Sequence, residues 1–188
     1  PARGNSQRIP GKNIKEFHGR PIIAYSIMAA QDSGLFTHGV WVSTDSHAIV
    51  EVAMAYGAQI HHRTPDLARN EVGTQEVMQH HASEFPRAHH LCCIYPCSPL
   101  MTVDDLMEGF NRLTHYSAEF AFSVGTDPLR DAGNWYWGTH AAFAYAEPIF
   151  GPDSLMIPIP RDRVCDVNDE RDWLRAELLY QAMRKRAA

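Results

Sequence analysis

Val40-Trp41-Val42-Ser43-Thr44-Asp45-Ser46 is the stretch that decides the fold. Its apolar triplet reads as a short strand that ends at Ser43-Thr44-Asp45. Ser46 or Asp45 can cap the helix that follows, which runs to Tyr56 and stops at Gly57. A second short strand follows at 58–61. Strand, capped helix, strand is the unit from which parallel sheets are wound, and the same alternation spreads outward on both sides.

Upstream, residues 21–32 read as a helix. Pro21 suits the first turn, Ile22, Tyr25 and Ala29 share a face, and Gly34 lies just past the end. Downstream, 74–85 is helical. Residues 91–95 form an unbroken apolar run of the kind buried in a parallel sheet, broken by Pro96 and Pro99. Thr102 opens a capped helix to about Leu113, and 120–124 is a strand. Residues 135–137 and 155–159 add strand candidates. An amphipathic helix at 169–186 closes the chain, with Trp173, Ala176, Tyr180 and Met183 on one side. The expectation is one α/β domain over 1–188, with a mostly parallel sheet and helices on both faces.

Two places break the pattern. The first loop begins at Pro1 with no buried strand feeding it, and residues 125–131 pass abruptly from strand into Asp131-Ala132-Gly133. The expectation is that an opening strand and a segment near 126–131 are missing from the sequence.

Composition narrows the function. Apolar residues make up 45% of the 188, enough for a sizeable core. A net charge of -5 argues against nucleic acid and anionic membranes as partners. No run approaches the roughly 18 apolar residues of a membrane span. Cys92, Cys93, Cys97 and Cys165 lack zinc-ligand spacing and read as reduced core thiols of a cytoplasmic protein. The histidine pairs 61–62, 80–81 and 89–90 are sequence neighbours whose side chains point apart, so they read as surface or half-buried residues rather than ligands.

The charge is uneven. Residues 1–31 carry five basic side chains and a single acid, Glu16. Within them Arg3, Arg8 and Lys12 surround Gly4, Asn5, Ser6 and Gly11. Glycines and small polar residues let backbone N–H groups approach an anion, and the cations can neutralise phosphate oxygens. The alternative is a solvated basic loop. The string is neither a Walker A loop nor G-x-G-x-x-G, which argues against a dinucleotide-dependent oxidoreductase.

The full string, Ala2-Arg3-Gly4-x-Ser6-x-Arg8-Ile9-Pro10-x-Lys12-Asn13, resembles the signature of the CMP-sugar-acid synthetases. The similarity continues through Phe17-x-Gly19-x-Pro21, Val42-Ser43-Thr44-Asp45, Arg63-x-Pro65-x-Leu67-Ala68, Gly73-Thr74, Tyr95-Pro96-Cys97-Ser98-Pro99-Leu100 and Asp166-Val167-Asn168. Ala121-Phe122-Ser123-Val124 and Asp131-Ala132-Gly133-x-x-Tyr136-Trp137-Gly138 are most similar to the pseudaminate members.

The resemblance implies a Rossmann-like nucleotide-diphospho-sugar transferase fold. It implies an enzyme that joins CMP from CTP to a nonulosonic, sialic-acid-like sugar acid, foremost pseudaminic acid, with release of pyrophosphate. Neuraminate, legionaminate and ketodeoxyoctonate are the alternative substrates, and a catalytically impaired CTP-binding homologue is the alternative function. By the family pattern Arg3, Lys12 and Asp166 are catalytic. Arg3, Gly4, Asn5, Ser6, Arg8, Lys12, Asn13, Arg63 and Thr74 line the nucleotide pocket, Asn13 reading the cytosine. Tyr95, Ser98 and Asp131 meet the sugar. Asp166 and Asn168 hold Mg2+. The family also implies a homodimer, with a dimerisation element around 125–160. Gln7 stands where many sialate enzymes have Lys, and Asn168 replaces a second carboxylate.

Overall fold

The computed structural model describes residues 1–4, 8–69 and 71–187. In chain order its elements are β1 (Glu16–Phe17), β2 (Arg20–Pro21), α1 (Ile22–Asp32), β3 (Trp41–Thr44), α2 (His47–Ala55), β4 (Gln59–His62), α3 (Pro65–Ala68), α4 (Thr74–Glu84), β5 (His90–Ile94), α5 (Val103–His115), β6 (Phe120–Thr126), β7 (Leu129–Thr139), α6 (His140–Ala144), β8 (Ser154–Pro158) and α7 (Glu170–Ala187). The α/β alternation stands, and helices cover both faces of the main sheet.

The pairing is less parallel than the sequence implies. β3 and β4 form a two-stranded parallel sheet, and β5-β7-β6-β8 form a separate four-stranded one. In the larger sheet only β6 and β8 run parallel, while β7 lies antiparallel to both β5 and β6. The apolar run ending at Ile94 therefore makes a half-buried edge strand, with Cys93 fully buried, whose partner is antiparallel. A doubly covered antiparallel strand is as apolar as a parallel one, so composition could not separate them. An apolar cleft lined by Ile23, Ile27, Val42, Ile94 and Pro96 runs between β3 and β5.

Strand alternation sorts the core. Cys93, Phe120, Phe122, Val124 and Tyr136 face Met78 and Ala82 of α4 and Phe143 of α6. Ala121, Trp135, Trp137 and Ile157 face Leu106 and Leu113 of α5. The aromatic triplet 135–137 is thus buried core and offers no dimer surface. A third cluster joins Ile9, Phe17, Cys97, Leu100, Cys165 and Val167 to Trp173 and Ala176 of α7. Trp173 and Ala176 lie on the apolar side that helical spacing assigned them. All four cysteines are free thiols. Among the described residues no helix is long and apolar enough to cross a membrane.

Between Phe122 and Val124 the register slips. Phe122 faces Tyr136 and Val124 faces Asp131, so residues 132–135 bulge opposite Ser123 alone. Residues 127–128 make a tight turn from β6 into β7, followed by this bulge. Bulges of this kind re-aim side chains, and this one carries Asp131 toward the candidate site.

Two caps behave differently. Thr102 caps α5 in a reciprocal pair: its Oγ1 accepts from Asp105 N at 3.3 Å, and Asp105 Oδ2 accepts from Thr102 N at 2.9 Å. Arg163 Nη1 donates to both side chains, at 2.7 and 2.8 Å, which ties the segment leading to Asp166 onto α5. Ser46 precedes α2 without a side-chain cap bond, and Asp45 Oδ1 instead accepts from Gly4 N at 2.9 Å. Thr102→Ala removes a cap and one of Arg163's acceptors together. It is expected to lower unfolding stability by about 1–2 kcal/mol in urea titration, and an unchanged midpoint would show that the cap carries no weight.

Candidate active site

The basic loop is held from beneath by apolar contact and from its ends by hydrogen bonds. Ile9 is buried among Phe17, Val167 and Trp173, which leaves its neighbours Arg8 and Lys12 to project from the cluster. Ala2 N donates to Ser43 O at 2.8 Å, laying the start of the loop beside the end of β3. A Cβ placed on Gly4 would lie 2.7 Å from Ser46 Cβ, closer than real carbons approach, so only glycine lets the loop pass over the start of α2. Asn5, Ser6 and Gln7 lie outside the described residues.

Three cations of the expected set converge on two distant segments. Lys12 Nζ donates to Val167 O at 2.6 Å, and Arg8 Nη2 donates to Asn168 Oδ1 at 2.8 Å across 160 residues of sequence. Arg3 Nη1 donates to Arg69 O at 3.2 Å. Arg63 is buried, and its Nε donates to Ser43 Oγ at 3.1 Å. Burial first, and the neighbouring charge of Arg3 second, lower the Arg63 pKa from its ordinary value. Asp45 offsets part of that repulsion, and an anion between the two guanidiniums would offset more.

Asn13 is buried with both ends of its amide engaged: Nδ2 donates to Arg3 O at 2.9 Å, and Oδ1 accepts from Cys97 Sγ at 3.2 Å. In this arrangement it braces the loop rather than presenting an edge to a base. Burial, partly offset by Lys12, pushes the Cys97 thiol up to about 12, so it stays protonated as a donor.

Asp166 is exposed, and Asn168 Nδ2 donates to its Oδ2 at 2.6 Å. An exposed carboxylate beside cations that can hold phosphates fits magnesium, which takes one or two carboxylates, substrate oxygens and water. The Asn168 amide faces Asp166 with nitrogen and Arg8 with oxygen, so it ligates a cation only when turned over. Asp172 Oδ2 accepts from the N–H groups of Asn168 and Asp169 at 2.9 and 3.2 Å. These contacts use the acids at the start of α7 as local caps.

The expected sugar residues divide. Ser98 is 2% exposed and its Oγ has no hydrogen-bond partner among the described residues. Its place is in the turn after β5, away from any open surface. Tyr95 and Asp131 are joined instead through Tyr136, to which the sequence reading assigned no role in the site. Thr74 Oγ1 lies 2.8 Å from Tyr95 Oη, the Tyr95 and Tyr136 rings meet edge to face with centroids 5.4 Å apart, and Tyr136 Oη donates to Asp131 Oδ2 at 2.6 Å. Thr74, expected at the nucleotide, belongs to this hydroxyl chain. Burial first, then the Tyr95 and Asp131 contacts, raise the Tyr136 phenol far above its ordinary range, so it remains a donor. Asp131 Oδ1 accepts from Gly133 N at 3.0 Å. Gly133 has φ 64° and a Cβ there would lie 3.5 Å from Asp166 Cγ, so the left-handed turn brings the bulge against the Asp166 segment. An open polar cavity of about 410 Å3 beside it is lined by Arg130, Arg161, Arg175 and Asp127, the last 3.5 Å from Arg161.

A Rossmann-like α/β domain with a basic, glycine-bearing loop across strand ends and a carboxylate opposite defines a nucleotidyltransferase. The chain belongs to the cytidylyltransferase family: the family model described as Cytidylyltransferase matches residues 1–137. It is 31% identical over 219 residues to a pseudaminic acid cytidylyltransferase of Campylobacter jejuni subsp. jejuni serotype O:23/36, covering 96% of this chain and 94% of that protein. It is 38% identical over 127 residues to N-acylneuraminate cytidylyltransferase A of Danio rerio, covering 65% of this chain and 28% of that protein. A solved structure of a CMP:2-keto-3-deoxy-manno-octonic acid synthetase complexed with CTP superposes with a TM-score of 0.72 at 13% identity, covering 97% of each chain. At that identity the likeness is one of fold.

Tyr136→Phe deletes the donor between Tyr95 and Asp131. The expected cost is about 1–2 kcal/mol of unfolding stability, read from urea denaturation. A neutral result would mean that Asp131 is held without the phenol.

Proposed function

We propose that this cytidylyltransferase joins CMP from CTP to a nonulosonic sugar acid, foremost pseudaminic acid, releasing pyrophosphate. The observation that carries the reading is the meeting of Lys12 and Arg8 with the Asp166–Asn168 segment. A cationic loop and a carboxylate face each other there across the chain ends. The identity to the pseudaminic acid relatives over 96% of the chain supports the sugar.

In this reading the anomeric hydroxyl of the sugar acid attacks the α-phosphorus of CTP. A new O–P bond forms as the bond to pyrophosphate breaks. Arg3, Arg63 and Lys12 orient the triphosphate and offset the charge that grows on it, and the backbone at Gly4 lets the phosphates come close. Lys12 exchanges the Val167 carbonyl for a phosphate oxygen. Asn13 and Cys97 keep the loop in shape. The Thr74–Tyr95–Tyr136 chain holds Asp131 toward the sugar, and the arginine cavity offers a counter-charge for the sugar's carboxylate. Mg2+ is the metal this reading calls for: held by Asp166, with Asn168 as an added oxygen donor once its amide turns, it would supply charge neutralisation on the phosphates.

A homodimer is part of the proposal. Leu129, Tyr145, Phe150 and Met156 are large apolar side chains left exposed between residues 125 and 160. Sedimentation is expected to give twice the 21.2 kDa chain mass, and a monomer at micromolar concentration would remove this part. A cytoplasmic location is supported by the four free thiols.

Pyrophosphate release from CTP and Mg2+ with a panel of pseudaminic, N-acetylneuraminic, legionaminic and ketodeoxyoctonic acids tests the function. Fastest release with pseudaminic acid is expected. Faster release with another acid overturns the substrate and keeps the class, and no release with any of them overturns the transferase reading. Lys12→Ala is expected to lower kcat by on the order of 100-fold with an unchanged urea midpoint, because its ammonium binds a carbonyl at the surface of the fold. Near-normal turnover would remove Lys12 from the chemistry.

A further inference from the structure

The strand β4 and the end of α4 bring together residues that their sequence spacing keeps apart. Glu84 Oε2 lies 2.8 Å from His61 Nε2 and 3.3 Å from His81 Nδ1, and its Oε1 lies 3.5 Å from His80 Nε2. The His61 and His81 rings meet edge to face with centroids 4.3 Å apart. One donor atom each from His61, His81 and Glu84 lies within 4.8 Å of the other two, the one such group among the described residues. Sequence reasoning set these histidines aside because neighbours point apart. The contacts pair His61 with His81 across the fold instead.

We propose that His61, His81 and Glu84 bind a zinc-class divalent cation, with His80 beside them as the nearest fourth donor. Two imidazoles and one carboxylate are a donor set for zinc and its neighbours rather than for magnesium, which demands oxygens. Tetrahedral bonds of 2.0–2.1 Å place donors about 3.4 Å apart. His81 and Glu84 already stand at that spacing. His61 and Glu84 must open by about half an ångström to reach it, and the Glu84 side chain, 37% exposed, is able to give.

One further observation favours a ligand. His61 Nδ1 lies 3.4 Å from Ser43 Oγ, the same hydroxyl that accepts from Arg63. A ligating imidazole commonly anchors its second nitrogen in this way. The ion would staple β4 to α4 directly behind Arg63, so this site is separate from Asp166 and does not depend on the proposed reaction.

The test is Co2+ titration of tag-free protein in millimolar Mg2+, read by the visible absorption of the bound ion. One equivalent per chain is expected, displaced by Zn2+ and retained by Asp166→Asn. His61→Gln and Glu84→Gln are each expected to weaken Co2+ at least tenfold, while their far-ultraviolet dichroism without metal matches the parent. Absence of Co2+ binding in the parent protein overturns the proposal. So does undiminished binding by both folded variants, or loss of all binding in Asp166→Asn.

Discussion

A small apolar cluster, Ile9 and Phe17 against Val167 and Trp173, is the contact on which the candidate site depends. It joins the opening loop, the turn after β5 through Cys97 and Leu100, and the segment before α7 through Cys165 and Val167. These stretches lie far apart in sequence and each carries polar residues of the site. Burying Ile9 and Val167 together turns their neighbours outward, so Arg8 and Lys12 meet Asn168 and the Val167 carbonyl. Edge-to-face contacts of Phe17 with Trp173, Tyr25 and Tyr180 stiffen the same base.

Above that base the electrostatics are unbalanced by construction. Arg3 stands near a buried Arg63 whose ionisation is already opposed by burial. Lys12 and Arg8 are satisfied by a carbonyl and a carboxamide rather than by carboxylates. Neutral acceptors hold these cations in place without cancelling their charge, so the field is left for an incoming anion. Lys15 differs: it pairs with Glu170 at 3.0 Å and stacks over Trp173, which makes it part of the support.

What the sequence discloses is what neighbouring residues decide. The helices at 22–32, 74–84 and 103–115, the Thr102 cap, and the buried side of α7 follow from local period and capping chemistry. The order of strands does not. The antiparallel placement of β7 between β5 and β6 is a matter of pairing across long separations, and an apolar run looks alike in either direction. The site divides in the same way. Loop cations and Asp166 are legible from residue type and family pattern. The bracing of Asn13 by Cys97, the burial of Ser98, and the Thr74–Tyr95–Tyr136–Asp131 chain depend on which segments fold together. His61 was hidden for that reason, since it reaches Glu84 through tertiary packing alone, while His81 and Glu84 are one helical turn apart.

A crystal structure of the chain with CTP and Mg2+ bears most directly on the central claim, that residues 3–12 form a cationic cradle facing Asp166. The account predicts the triphosphate lying along the loop, with the Lys12 ammonium moved from the Val167 carbonyl onto a phosphate oxygen and Arg3 and Arg63 on either side of the phosphates. A triphosphate bound elsewhere, with Lys12 still on Val167 and Arg3 turned from the nucleotide, would contradict it.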